Sequence, residues 1–358
     1  MTPPPLCTLL GLSQPIIQGP MAGADTPALA AAVSAAGGLG MLGCGMRSPT
    51  AIAEAAAEVR RRTDRPFGLN LFVQSTPSPD PQELARAQAH LAPLYAELGV
   101  TPSPPARWCE DFEAQWSAVL DARPAVASFT FGILNAKQVR ALQAVGSRVI
   151  GTATTVSEAV AWAKVGADAV CASGMEAGGH RGTFLEDYAA AMVGTMALVP
   201  ACVDALRPWG VPVIAAGGIM DGRGIAAAQA LGAQAVQMGT AFLACEESGI
   251  GAAYRQALLQ AEASDTRTTR VYSGRPARGI VNAMMRRLAP LENEVPPYPV
   301  QNALTGALRK AAAEAGNSEY LSLWAGQGVA AVRPMSATRL MQCLADERLA
   351  AVKAIPQG

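Results

Sequence analysis

VPVIAAGGIMDGRGIAAAQALGAQAVQMGT, residues 211–240, decides the fold. An apolar run, VPVIAA (211–216), ends at a glycine pair; a helix-length, Ala-rich stretch follows, and a second apolar run, AVQMGT (235–240), completes the unit. Short apolar runs flanking an amphipathic segment read as strand, helix, strand, the building block of a parallel sheet. The alternation extends back through QPIIQ (14–18), GLGMLG (38–43), FGLNLFV (67–73), AVASFT (125–130), RVIGTA (148–153) and DAVCAS (168–173). Between most of these lie helical patterns such as TPALAAAVSAA, TAIAEAAAEVRRR, NAKQVRALQAV and TVSEAVAWAKVG. Eight strands alternating with helices predict an α/β fold, a TIM (β/α)8 barrel. Thr26 before Pro27, and Ser48 before Pro49, supply cap and first-turn residues at two helix starts, and Gly37 with Gly38 stops the first helix.

Two Pro-punctuated segments break the alternation and predict insertions over the C-terminal face of the barrel, where lids and substrate walls are built. The expected organisation is a barrel over residues 1–265 with an excursion at about 74–110, a cap or substrate-binding segment at 266–325, and a helical return at 326–358.

Composition removes whole classes of function. Of 358 residues, half are hydrophobic and 16% charged, with Lys+Arg and Asp+Glu equal at 28 each, so no basic surface for nucleic acid or anionic membrane is expected. No apolar stretch reaches the roughly 18 to 20 residues of a membrane span. The N-terminal MTPPPLCTLLGLSQP carries no basic region ahead of its short apolar run, which argues against a secretory signal and for a cytoplasmic protein. Seven cysteines without a CxxC pair read as small buried hydrophobes in a reducing compartment, and the His/Cys clusters of a metal site are absent.

Gly38, Gly40 and Gly43 spell GxGxxG, with Glu58 at about the distance of a ribose-binding acid. A dinucleotide fingerprint needs a strand before its glycines and a helix opening from them. Here a helix comes first and the glycines lie within the strand, so close backbone packing is the preferred reading.

In a barrel the chemistry gathers at the C-terminal strand ends. Those ends carry Pro20, Met21 and Ala22 after the first strand, Asn70 in the third, Ser173 to Arg181 after the sixth, Gly217 and Gly218 after the seventh, and Gly239 with Thr240 at the eighth. Glycines after the last two strands let backbone N–H groups approach a phosphate, which implies a phosphorylated cofactor. Asn70 and Gln237 are amides inside apolar strands, where an unpaired amide is costly; each bonds a ligand or a backbone group. His180, in GGHRG, is one of two histidines in the chain and sits on a flexible or tightly turned loop beyond the sixth strand. Its near-neutral intrinsic pKa suits proton abstraction, so it is the candidate general base. His90, on the excursion helix, reads as a surface residue. Arg181 holds either a phosphate or an acidic neighbour such as Glu176.

PIIQGPMAG, the Asn of GLNLFV, GMEAGGHRGTF and AAGGIMDGRGIAAAQALGAQAVQMGTAFL together resemble the nitronate monooxygenase family, formerly the 2-nitropropane dioxygenases. YSGRPARGIVN, YPVQNALTG and NSEYLSLWAGQG extend the likeness toward the C-terminus, and GGHRG favours the class I branch. The resemblance implies a TIM barrel that binds FMN and oxidises alkyl nitronates, such as propionate 3-nitronate, and nitroalkanes with O2 to carbonyl compounds and nitrite. By position it implies Pro20, Met21 and Ala22 along the flavin ring; Asn70, Ser173, Gly178, Gly217, Gly218, Gln237, Gly239 and Thr240 holding FMN; and His180 as the base. Relatives often carry Gln where this chain has Ser173. A flavin reductase using NAD(P)H, of the enoyl-ACP or quinone reductase kind, is the alternative, and a non-catalytic flavin-binding barrel a lesser one. The expected partners are the small substrate and O2, with the chain a monomer or homodimer.

Overall fold

Side chains alternate sides along a strand, and this period of two sorts the apolar runs into a face toward the surrounding helices and a face toward the barrel axis. The computed structural model describes residues 4–103 and 105–354, so the first three and last four residues of the expected N- and C-terminal segments lie outside the described residues. In chain order the strands are β1 (Ile16–Gln18), β2 (Gly40–Gly43), β3 (Phe67–Phe72), β4 (Val126–Thr130), β5 (Arg148–Ala153), β6 (Ala169–Ser173), β7 (Gly179–His180), β8 (Val213–Ala216), β9 (Ala235–Met238), β10 (Thr266–Thr269) and β11 (Ala277–Ile280). Eight of them form one parallel sheet in the order β1-β9-β8-β6-β5-β4-β3-β2. A parallel bridge between Ile17 and Leu39 joins its two edges. The predicted barrel is therefore present, with a strand inside each of the eight apolar runs.

The eight barrel helices are Pro27–Ala35, Pro49–Arg62, Phe112–Ala122, Ala136–Ala144, Val156–Lys164, Thr195–Leu206, Gly222–Ala230 and Ala337–Ala354. Thr26 and Ser48 cap the first two through side-chain oxygens that accept the N–H groups of Leu29 (3.0 Å) and Ala51 (3.2 Å). The eighth helix is separated from its strand by about a hundred residues, and it packs against the helices Gly222–Ala230 and Pro27–Ala35 to close the outer ring. The GxGxxG glycines are packing residues, as the order of elements predicted. A Cβ on Gly40 would collide with the carbonyl of Ala30 in the first barrel helix, while Glu58 pairs with Arg61 and Arg62 on its own helix.

Inside the barrel, Ile17, Leu39, Met41, Val126, Ile150, Ala169, Cys171, Ile214, Ala216 and Ala235 form a separate apolar cluster. Leu6, Cys7 and Leu10 of the helix Pro5–Leu10 join that cluster and plug the N-terminal end. Two residues further along the same inward face come Ser128, Thr152, Ser173 and Gln237, and Asn70 stands opposite Ser128 in register. The barrel is thus apolar at its base and polar at its C-terminal mouth.

The inserted segments share a core of their own. Ala87, Leu91, Leu94 and Tyr95 of the helix Pro81–Glu97 pack on Tyr272, Met284, Met285, Leu288, Val300, Leu304 and Leu308. β10, β11 and β7 form a small antiparallel sheet that the sequence pattern did not predict.

Leu344, on the eighth helix, has no exposed surface, whereas Leu349 on the same helix is 42% exposed. Leu344→Ala is expected to destabilise the protein by about 2–5 kcal/mol and Leu349→Ala by less than about 0.5 kcal/mol in urea denaturation. Equal effects would mean that this helix does not seal the barrel.

Candidate active site

His180 owes its position to backbone pairing. β7 lies antiparallel to β11, with His180 opposite Ala277 and Gly179 opposite Arg278, and the Arg181 N–H donates to the carbonyl of Pro276 at 2.8 Å. The histidine therefore sits in a strand, not on the flexible or tightly turned loop that the flanking glycines predicted. Pairing with a segment almost a hundred residues away cannot be read from local sequence. A Cβ on Gly178 would meet the backbone of Ala325 and Gly326 at 2.6 Å, so this exposed glycine admits a passing chain.

Around the imidazole stand Phe131, Tyr298 and Trp324, with ring centroids 5.5, 5.7 and 5.2 Å away. Phe131 follows β4 in a left-handed conformation (φ 74°), costing roughly 1–2 kcal/mol for a residue with a side chain. It stacks on Phe72 at 4.2 Å, and the Arg275 guanidinium lies over its other side at 4.0 Å. Nε2 of His180 lies 2.8 Å from Oγ of Ser273. Burial, then the guanidiniums of Arg275 and Arg309, push the imidazole down to about 3 from its ordinary 6.5. The residue keeps some accessible surface at the barrel mouth. A ring neutral at pH 7 still follows from three aromatic neighbours and two cations.

The polar layer beneath is sparsely paired. Asn70, 3% exposed, donates from Nδ2 to Oγ of Ser128 at 2.9 Å. Gln237 and Ser173 are half-buried, and the Gln237 amide makes no hydrogen bond among the described residues. Gly217 and Gly218 have φ of 113° and 71°, a region closed to most other residues. Among the described residues their N–H groups, and that of Gly239, have no hydrogen-bond partner. Gly239 and Thr240 leave the strand earlier than predicted: β9 stops at Met238, and Gly239 precedes a short helical turn, Thr240–Leu243. The Thr240 hydroxyl accepts the N–H of Gly326 at 2.9 Å, tying the strand end to the C-terminal segment. Pro20, Met21 and Ala22 are half-buried and follow β1.

Sequence reasoning missed the residue that shapes that last loop. Asp25 accepts the N–H groups of Met21 (2.6 Å) and Gly43 (2.7 Å) and pairs with Arg47 at 3.3 Å. Its burial lifts the carboxyl to about 6 despite those donors. Ser273, Arg275 and Arg309 were missed as well; the only signal was the Ser-Gly-Arg of YSGRPARGIVN.

Arg181 turns to backbone carbonyls and makes no hydrogen bond to Glu176. Its buried guanidinium donates to the carbonyls of Gly174 (2.7 Å), Ser173 (2.9 Å) and Ala191 (3.1 Å), bracing the loop that leads to β7. Glu176 instead caps the helix Thr195–Leu206, accepting the N–H and hydroxyl of Thr195. His90 is half-buried, 3.6 Å from Glu294, within the helix Pro81–Glu97.

With this geometry in place, likeness to known proteins becomes informative. Residues 4–347 match a family model described as nitronate monooxygenase. A nitronate monooxygenase of Pseudomonas aeruginosa is 47% identical over 347 residues, covering 95% of this chain and 97% of its own. A probable nitronate monooxygenase of Staphylococcus saprophyticus is 42% identical over 93% of this chain and 94% of its own. Among solved structures, nitroalkane oxidase from Streptomyces ansochromogenes has a TM-score of 0.90 at 39% identity, covering 98% of this chain and 99% of that one. FabK from Thermotoga maritima has a TM-score of 0.77 at 33% identity, covering 99% and 98%.

The depressed His180 pKa fixes the sign of a pH effect. Above about 6.5 the ring is neutral both folded and unfolded, and its contribution to stability is complete. As pH falls from there toward 3 the unfolded chain binds a proton that the folded chain refuses, and stability is lost. Between pH 7 and 5 the wild type is expected to lose as much as about 2 kcal/mol relative to His180→Gln in urea denaturation. Parallel pH profiles would contradict a neutral, enclosed imidazole.

Proposed function

The chain belongs to the nitronate monooxygenase family, and from that premise we propose that it uses FMN to oxidise alkyl nitronates, propionate 3-nitronate among them, and nitroalkanes with O2. The products are a carbonyl compound and nitrite. The observation that carries this reading is the imidazole of His180 at the C-terminal mouth of the barrel, walled by aromatic rings and near two guanidiniums, surroundings that favour its neutral form.

The residues present suit a flavin mononucleotide. Unpaired N–H groups at Gly217, Gly218 and Gly239, without Cβ atoms in the way, suit the phosphate, with Thr240 beside them. Gln237, Asn70, Ser173 and Gly178 offer polar or close backbone contacts, and Pro20, Met21 and Ala22 an apolar edge for the ring. When bound, the flavin accepts electrons from the nitronate and returns them to O2.

His180 supplies the proton chemistry. A nitroalkane's α-carbon is acidic enough for a placed imidazole to take its proton, leaving the negative charge on the nitro group. Proton transfer creates imidazolium and nitronate together. The guanidiniums of Arg275 and Arg309, which oppose a lone imidazolium, favour the new anion. Phe131, Tyr298 and Trp324 limit water around the ion pair, strengthening those interactions. The enzyme works in the cytoplasm as a monomer or homodimer, and among the described residues no helix is long and apolar enough to cross a membrane.

A pre-formed nitronate has no proton to give up. His180→Asn is therefore expected to lower kcat/KM for neutral nitroalkanes by about 10²–10⁴-fold and to affect pre-formed nitronates far less. Equal losses on both substrates in steady-state assays would reject His180 as the base.

A further inference from the structure

His180 has two ring nitrogens, and the structure distinguishes them. Nε2 faces Oγ of Ser273 at 2.8 Å; Nδ1 makes no hydrogen bond among the described residues and is not among the buried polar atoms left unsatisfied. Ser273 is itself buried, 1% exposed, in the tight turn that follows Thr269. Its Oγ lies 3.1 Å from the carbonyl of Arg275, to which it donates, and accepts the Arg275 N–H at 3.3 Å.

A serine hydroxyl has one proton and two acceptor lone pairs. If that proton goes to the Arg275 carbonyl, Nε2 must carry a hydrogen and donate it to Oγ. Every polar group of the cluster is then paired except the lone pair on Nδ1. If the hydroxyl donates to Nε2 instead, the Arg275 carbonyl loses its partner and an N–H on Nδ1 finds no protein acceptor. Counting donors and acceptors favours the first arrangement.

We propose that Ser273 is a positioning residue that holds His180 in the Nε2–H tautomer, leaving the Nδ1 lone pair as the atom that takes the substrate's proton. This deepens the function given above and rests on His180 being its base. The α C–H bond of the nitroalkane breaks, its electron pair moves into the nitro group, and the proton ends on Nδ1. The imidazolium so formed keeps its Nε2–H bond to Ser273 throughout, so the ring does not turn between resting and protonated states. Arg275, whose backbone carbonyl accepts the Ser273 hydroxyl's hydrogen bond, also donates from Nε to the Arg181 carbonyl at 2.8 Å, fixing the serine turn against the histidine strand. The charged groups acting on the ring are the guanidiniums of Arg275 and Arg309. Both disfavour protonation of either nitrogen, and hydrogen bonding to Ser273 is what tells the two nitrogens apart.

With two histidines in the chain, the assignment is directly readable. ¹⁵N NMR on the holoprotein labelled at histidine, in a His90→Gln background that removes the other signal, is expected to show a protonated Nε2 and a pyridine-type Nδ1. Ser273→Ala is expected to give mixed tautomers and to lower kcat on a neutral nitroalkane by about 10–100-fold with KM little changed. Turnover of the pre-formed nitronate should persist, and Ser273→Thr, which keeps the hydroxyl, should restore both spectrum and rate. A protonated Nδ1 in the wild type would overturn the proposal. So would a Ser273→Ala protein with unchanged tautomer and rate. Because the tautomer is read without substrate, a chain inactive on nitro compounds would overturn the function and not the tautomer.

Discussion

A two-residue strand sets the geometry of the whole site. Gly179 and His180 pair with Arg278 and Ala277, and this short antiparallel contact draws a loop of the barrel and an inserted segment into one sheet. Without it the imidazole would hang on a glycine-rich connection after β6. With it, the ring is held from below by backbone pairing and from the side by Ser273, while Arg275 laces the two segments together through the carbonyl of Arg181. Both glycines before the histidine then have a use: Gly178 lets residues 325–326 pass, and Gly179 adopts a positive φ.

Barrel and insertions divide the work. The barrel interior changes from apolar to polar over one step of two residues along its strands, and backbone N–H groups are left unpaired at the ends of β8 and β9. The insertions bring rings and charge: Tyr298 and Trp324 against the histidine, Arg275 over Phe131, Arg309 nearby. An aromatic enclosure alone would keep His180 neutral. Two cations added to it disfavour a lone imidazolium and would favour an anion held beside the ring.

Much of this was legible beforehand because it is local. The eight strands follow from alternation and length, and Thr26 and Ser48 cap as their neighbours with Pro predicted. Gly217 and Gly218 follow directly on β8, where the run VPVIAA placed them. What escaped depends on residues far apart in the chain. β10 and β11 lie in a segment read only as Pro-punctuated, and β7 is too short to leave a periodic signal. Arg181 was read as a ligand for a charge, whereas three backbone carbonyls engage it, a role that depends on how its loop folds back. Asp25 resembles an ordinary surface acid in PMAGAD, and only the structure shows it accepting two N–H groups that shape the loops after β1 and β2.

We propose that the barrel mouth brings a bound flavin and a nitro-compound substrate together at His180. Anaerobic mixing of the purified protein, supplied with FMN, with a nitronate and separately with NADH tests this through the visible absorbance of the flavin. Rapid bleaching by the nitronate is expected, with none of comparable rate by NADH. Bleaching by NADH alone, or a colourless protein that takes up no FMN, would contradict it.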